Sequence, residues 1–157
     1  MPLDYALASL GIDDPYLRDR LMSLYEELPA YDEVPAVLGQ LKERALKTAI
    51  LSNGTERMLG SAVRSAEIGE LLNELISVDD LAIYKPHPAV YQLAVEELAL
   101  APDRICFMSS NAWDVQGAAN FGFNVVWINR FGQPPERLPG DYAAELSSLD
   151  GLPELLG

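Results

Sequence analysis

The residues best placed to do chemistry are Ser52 and Asn53, Lys85, Ser109, Ser110 and Asn111, Asp114, and Asn129 with Arg130. Ser52-Asn53, Ser109-Ser110-Asn111 and Asn129-Arg130 each follow a short apolar run, and Lys85 lies in a loop before a helical stretch. If those runs are parallel strands, the three polar sets gather beyond the carboxyl ends of one sheet, where such folds bind ligands. Hydroxyls and amides predominate, and Lys85 and Asp114 add opposite charges. Asp114 is the single carboxylate of the 109–114 segment. Hard divalent cations take oxygen ligands, carboxylates above all, so Mg²⁺ is poorly supplied there.

Each residue also has a plainer reading. Ser52-Asn53-Gly54 suits an ordinary strand-to-helix turn, and Ser109, Ser110 and Asn111 suit helix caps. Lys85 alone would be a solvated loop lysine. Asp114 suits the first turn of a helix, Trp113 and Trp127 suit a core or an interface, and Tyr91 falls on the core side of its helix. His87, between two prolines, reads as an exposed loop residue, and Cys106 as a buried core thiol. The weight comes from several independent signals agreeing on one site.

The elements that must position these residues follow from periodicity. Asp14-Pro15 opens a helix with Leu17, Leu21, Leu24, Tyr25 and Leu28 on one face, ended by Pro29. A second helix, about 32–44, carries Val34, Val37, Leu38 and Leu41. Short apolar runs at 48–51, 75–78, 104–108 and 124–128 read as strands, and 89–100 and 112–121 as helices. Strand alternating with helix predicts a parallel sheet covered on both faces. The Pro- and Gly-rich tail, 132–157, is expected to hold at most a short helix near 152–156.

Composition narrows the class. The chain has 157 residues, 49% of them apolar, and a net charge of −13, which suits one globular domain. Its pI near 4.3 argues against a nucleic-acid partner and against an anionic membrane surface. No apolar run is long enough to span a bilayer. The start has no signal-like pattern, so a cytoplasmic location is expected. The single cysteine excludes an intramolecular disulfide.

Three strings, LSNGT (51–55), YKPHPAVY (84–91) and SSNAWD (109–114), taken in order, resemble the haloacid dehalogenase superfamily, and SSNAWD narrows the resemblance to the (S)-2-haloacid dehalogenases. The likeness runs from about Tyr31 to Arg130. It implies an α/β, Rossmann-like parallel sheet of that type at 31–157, with residues 1–30 resembling the end of the family's helical cap. The implied activity is hydrolytic dehalogenation of short 2-haloalkanoic acids through an aspartyl ester, with no metal or organic cofactor. By the resemblance, Ser52 bonds the substrate carboxylate, Asn53 and Trp113 line a halide cradle, and Tyr91 stands near the lysine. Lys85 and Ser109 hold the nucleophilic carboxylate, while Asn111 and Asp114 position the hydrolytic water. The alternatives are a Mg²⁺-dependent phosphatase of the superfamily and a non-catalytic interaction module.

One part of the family pattern has no match. The nucleophile is an Asp followed by Gly-Thr at the end of the family's first strand, which lies mid-sheet between the strands ending at Ser52 and Ser109. Asp4, Asp13, Asp14, Asp141 and Asp150 stand in no such context, and the only Gly-Thr is Gly54-Thr55. The cap arginine also has no counterpart, since Arg18 and Arg20 fall too late. The sequence is therefore expected to be an N-terminally truncated dehalogenase, with Met1 an internal or misassigned start. Alone it should be inactive, with an incomplete sheet whose bare edges favour a homodimer or other self-association.

Overall fold

The computed structural model describes residues 2–157; Met1 lies outside them. Helices α1 (Pro2–Ser9) and α2 (Pro15–Leu24) form a hairpin. Asp14 caps α2 by accepting from the N–H groups of Tyr16 and Leu17 at 2.9 and 3.1 Å, with Pro15 behind it. Arg18 of α2 ties back to Asp4 of α1 at 2.7 Å. The hairpin leaves Tyr5, Leu10 and Tyr16 largely exposed and buries nothing from α2.

The core begins with α3 (Val34–Glu43) and alternates from there: β1 (Ala49–Ser52), α4 (Glu56–Ser65), β2 (Glu74–Ser77), α5 (Pro88–Leu98), β3 (Cys106–Ser109), α6 (Ala112–Phe121) and β4 (Asn124–Ile128). Thr55 caps α4 and His87 caps α5 through its imidazole, while Gly122 closes α6 at φ +114°. The expected strands and the core helices are present within two residues, but α2 stops at Leu24, four residues short of the expected Leu28, where the chain passes into i→i−3 turns through Glu27. The tail departs from expectation. It adds a strand, β5 (Ala144–Leu146), parallel to β4, before the short α7 (Leu152–Leu155). Three residues among prolines and glycines carry too little alternation to signal a strand. Backbone pairing with β4 supplies what periodicity lacks, and the Asn129 side chain folds the loop back by accepting from Gln133 N–H and donating to the Glu145 carboxylate.

All strand pairs are parallel, in two sheets of order β1-β2 and β3-β4-β5. Among the described residues, β1 pairs only with β2 and β3 only with β4. Burial follows pairing: β4, flanked on both sides, is buried from Val125 to Ile128, whereas every residue of β3 is only half-buried. Cys106 is accordingly half-buried rather than sealed in the core, though burial still pushes its thiol up.

Three helices hold the sheets together. On one face α5 and α6 pack Tyr91, Ala94, Val115 and Ala118 against residues of both sheets, with Ile76 of β2 and Val125 and Trp127 of β4 in one cluster. On the other, α3 sends Val37 and Leu41 to Val126 and Ile128 of β4, and Val34 and Leu38 to Ile50 of β1. The turn before α3 is fixed as well. Arg130, at the end of β4, pairs with Glu33 and lies over the Tyr31 ring, 3.7 Å from its centroid. Burial alone would raise the Glu33 carboxyl; the Arg130 guanidinium and backbone N–H groups outweigh it and hold the group below its ordinary value.

Gly39 sits inside α3 with nothing within 4 Å of where a Cβ would stand. Glycine there costs helix stability without giving access to anything. Gly39→Ala is expected to raise stability by about 0.5–1 kcal/mol, read as a higher urea midpoint at unchanged slope. A lower midpoint would mean that the exposed face of α3 is covered in solution.

Candidate active site

The site grows from the carboxyl ends of β1 and β3. Beyond β1, Ser52 Oγ accepts from Gly54 N–H at 3.0 Å, turning the chain toward α4. Asn53 is exposed, and its Oδ1 accepts the backbone N–H of Lys85 at 3.0 Å. That bond fixes the 78–87 loop, whose Lys85-Pro86 peptide is cis. Beyond β3, Ser109 Oγ accepts from Asn111 N–H at 3.2 Å, and Trp127 Nε1 of β4 donates to Ser110 O at 3.3 Å. Asn111 stands at the N-cap position of α6, its side chain making no capping bond.

Asp114 lies in the first turn of α6, where the helix favours an anion. Lys85 Nζ donates to Asp114 Oδ2 at 3.0 Å, and the two side chains are only 10% and 4% exposed. Tyr91, fully buried on α5, donates its hydroxyl to Asp114 Oδ1 at 2.9 Å. Both carboxylate oxygens are thus engaged. Lys85 Nζ also lies 5.1 Å from the Phe107 ring centroid, a favourable place for a cation. The Tyr91 ring meets Phe107, Phe121 and Phe123 at 5.7–5.9 Å. Burial first, then the Asp114 charge, pushes the Tyr91 phenol far above its ordinary value.

Lys85, Asn53, Asp114 and Tyr91 are therefore joined in one bonded set. Ser52, Ser109 and Asn111 border it while serving their own turns. Trp113 lies elsewhere: half-buried, it lines a shallow groove of about 400 Å³ with Pro86, Pro88, Gly117, Phe121 and Pro139. Asn129 and Arg130, polar residues at the end of β4, are occupied by the tail and by the turn before α3. Among the described residues, no three His, Cys, Asp or Glu side chains converge as metal ligands. The Trp127 anchor was not legible, because an apolar-looking strand tryptophan gives no hint of its ring N–H.

A parallel α/β core covered on both faces, with a buried Lys–Asp pair at its strand ends, places the chain in the Rossmann-like fold class. The model of the haloacid dehalogenase-like hydrolases matches residues 4–122. The chain is 48% identical to (S)-2-haloacid dehalogenase 1 of Pseudomonas sp. strain CBS-3 over 98% of its own length and 68% of the relative's. It is 44% identical to (S)-2-haloacid dehalogenase 4A of Burkholderia cepacia over 98% and 67%. The solved L-2-haloacid dehalogenase of Xanthobacter autotrophicus with chloropropionic acid covalently bound superposes with a TM-score of 0.87 at 31% identity, over 97% of this chain and 71% of that one. The chain belongs to the haloacid dehalogenase-like hydrolases, within the (S)-2-haloacid dehalogenases, and spans about two thirds of the length of these relatives.

Two outcomes follow. Asp114→Asn leaves a nearly buried ammonium without its counter-charge and is expected to cost about 3–5 kcal/mol by urea denaturation; a loss below about 1 kcal/mol would mean the pair is hydrated. Above about pH 10 the unfolded chain releases the tyrosine proton that folded Tyr91 retains, so stability falls as pH rises there. Tyr91→Phe should flatten that alkaline limb in a series of pH-dependent melts, and an unchanged limb would contradict the burial of the phenol.

Proposed function

We propose that this chain carries most of the machinery for hydrolysing short (S)-2-haloalkanoic acids to 2-hydroxy acids through an aspartyl ester, and that alone it is inactive for want of the nucleophile. The observation that carries this reading is the buried Lys85–Asp114 pair, backed by Tyr91, between the ends of two strands that each have a single paired neighbour among the described residues. Maintaining such a pair costs desolvation, and a purely structural core gains more from apolar side chains. The relative with chloropropionic acid covalently bound supports an ester intermediate.

In this reading residues 1–30 are the end of a helical cap and 31–157 an incomplete core. The missing element is a parallel strand between β1 and β3, ending in an aspartate beside Lys85. An ammonium has three donors, and Asp114 is the one hydrogen-bonding side chain on Lys85 Nζ among the described residues, so a second carboxylate is well served. Lys85 and Ser109 hold that carboxylate ionised and oriented. One of its oxygens attacks C2 as the carbon–halogen bond breaks and halide departs with the bonding pair. Water held by Asn111 and Asp114 then adds to the ester carbonyl; the acyl C–O bond breaks, releasing the 2-hydroxy acid and restoring the carboxylate. Ser52 bonds the substrate carboxylate, Asn53 borders the halide, and Tyr91 steadies the substrate side through Asp114. Without the strand, the edges of β1 and β3 attract another chain, which supports self-association.

The test is a chimera in which the unmatched N-terminal third of the Pseudomonas relative precedes this chain. Halide release from (S)-2-chloropropionate is expected from the chimera and not from the chain alone. Lys85→Met in the chimera should reduce it by on the order of 10²–10³. Comparable release by the chain alone, or a folded chimera that releases none, would refute the proposal.

A further inference from the structure

Gly117 lies three residues after Asp114 on α6, hence on the same face of the helix. Glycine is among the poorest helix formers, and nothing in the turn geometry calls for it at this position, since its φ is not positive. Its surroundings do. A Cβ built at Gly117 would stand 2.6 Å from Tyr91 Oη and 2.7 Å from Pro86 Cβ, where carbon contacts ordinarily settle near about 3.5–4.0 Å. A helical Cβ leans toward the N-terminus, so it would cover the turn above, where the Tyr91 hydroxyl meets both Oδ1 and the backbone carbonyl of Asp114 at 2.9 and 3.3 Å.

Neither neighbour is free to retreat. The Tyr91 ring is fully buried against three phenylalanines, and Pro86 adjoins Lys85, whose N–H is held by Asn53. We infer that Gly117 is a positioning residue: its bare Cα sets how closely α6 approaches α5 and the Lys85 loop, and so fixes the Lys85–Asp114–Tyr91 geometry. That this geometry serves dehalogenation rests on the proposal above; the placement itself does not.

The test needs no activity. The chain has three lysines, Lys42, Lys47 and Lys85, so acylation by a water-soluble reagent can be followed site by site by mass spectrometry. Lys85 should react at least tenfold more slowly than exposed Lys42, and the Tyr91 hydroxyl proton should give a slowly exchanging NMR signal. In Gly117→Ala that signal should vanish and the Lys85 rate should rise at least fivefold, with Lys42 unchanged. A folded Gly117→Ala protein that keeps both the signal and the protection overturns the inference. Should Gly117→Ala fail to melt cooperatively, the Gly117→Ala/Tyr91→Phe/Pro86→Gly triple variant decides when compared with Tyr91→Phe/Pro86→Gly, because it removes both crowding atoms. Recovery of a cooperative melt supports the inference, and no recovery overturns it. An inactive chimera would sink the proposed function while leaving these readouts unchanged.

Discussion

Everything at this site depends on keeping one ammonium and one carboxylate together out of water. Taking each ion out of solvent costs several kcal/mol, and only close geometry with further hydrogen bonds offsets that. The chain supplies those from four directions. The first turn of α6 favours the Asp114 anion, Tyr91 occupies its second oxygen, Phe107 lies near the Lys85 cation, and Asn53 holds the Lys85 backbone. The aromatic cluster around Tyr91 then links the charge pair to the core, so the geometry of the pair and the packing of α5 on α6 are one problem.

The same constraint explains the molecule's least ordinary feature. Two parallel sheets, each ending on a strand with one neighbour, are kept in a common frame by α3 on one face and α5 with α6 on the other. Lys85 joins the sheets at their carboxyl ends, with its backbone bonded to Asn53 beyond β1 and its ammonium bonded to Asp114 beyond β3. The half-burial of β3 beside fully covered β4 is what parallel strands show when one flank is bare.

Much of this was legible in the residues. Apolar runs ending in Ser-Asn and Ser-Ser-Asn mark parallel strands and their carboxyl ends, because buried strands are continuous in hydrophobicity while their exits must turn. The opposite charges of Lys85 and Asp114 are legible near the strand ends, and the fold joins them at 3.0 Å. Other features were hidden for physical reasons. The three residues of β5 carry too little pattern, and α4 begins behind a turn that also suited a simple cap. Arg130 reads as a ligand-facing residue until the fold brings Glu33 and Tyr31 to it across about a hundred positions of sequence. Gly117 carries no signal at all, since what matters is the atom it lacks.

The most direct test of this account is amide hydrogen exchange on the chain alone, resolved residue by residue by NMR. Amides of β4 from Val125 to Ile128, flanked by strands on both sides, should be strongly protected. In β1 and β3, amides should alternate between protected ones facing the paired neighbour and fast ones facing the bare edge. Uniform protection along Ala49–Ser52 and Cys106–Ser109, equal to that of β4 in a monomeric sample, would contradict the open strand position on which the site is built.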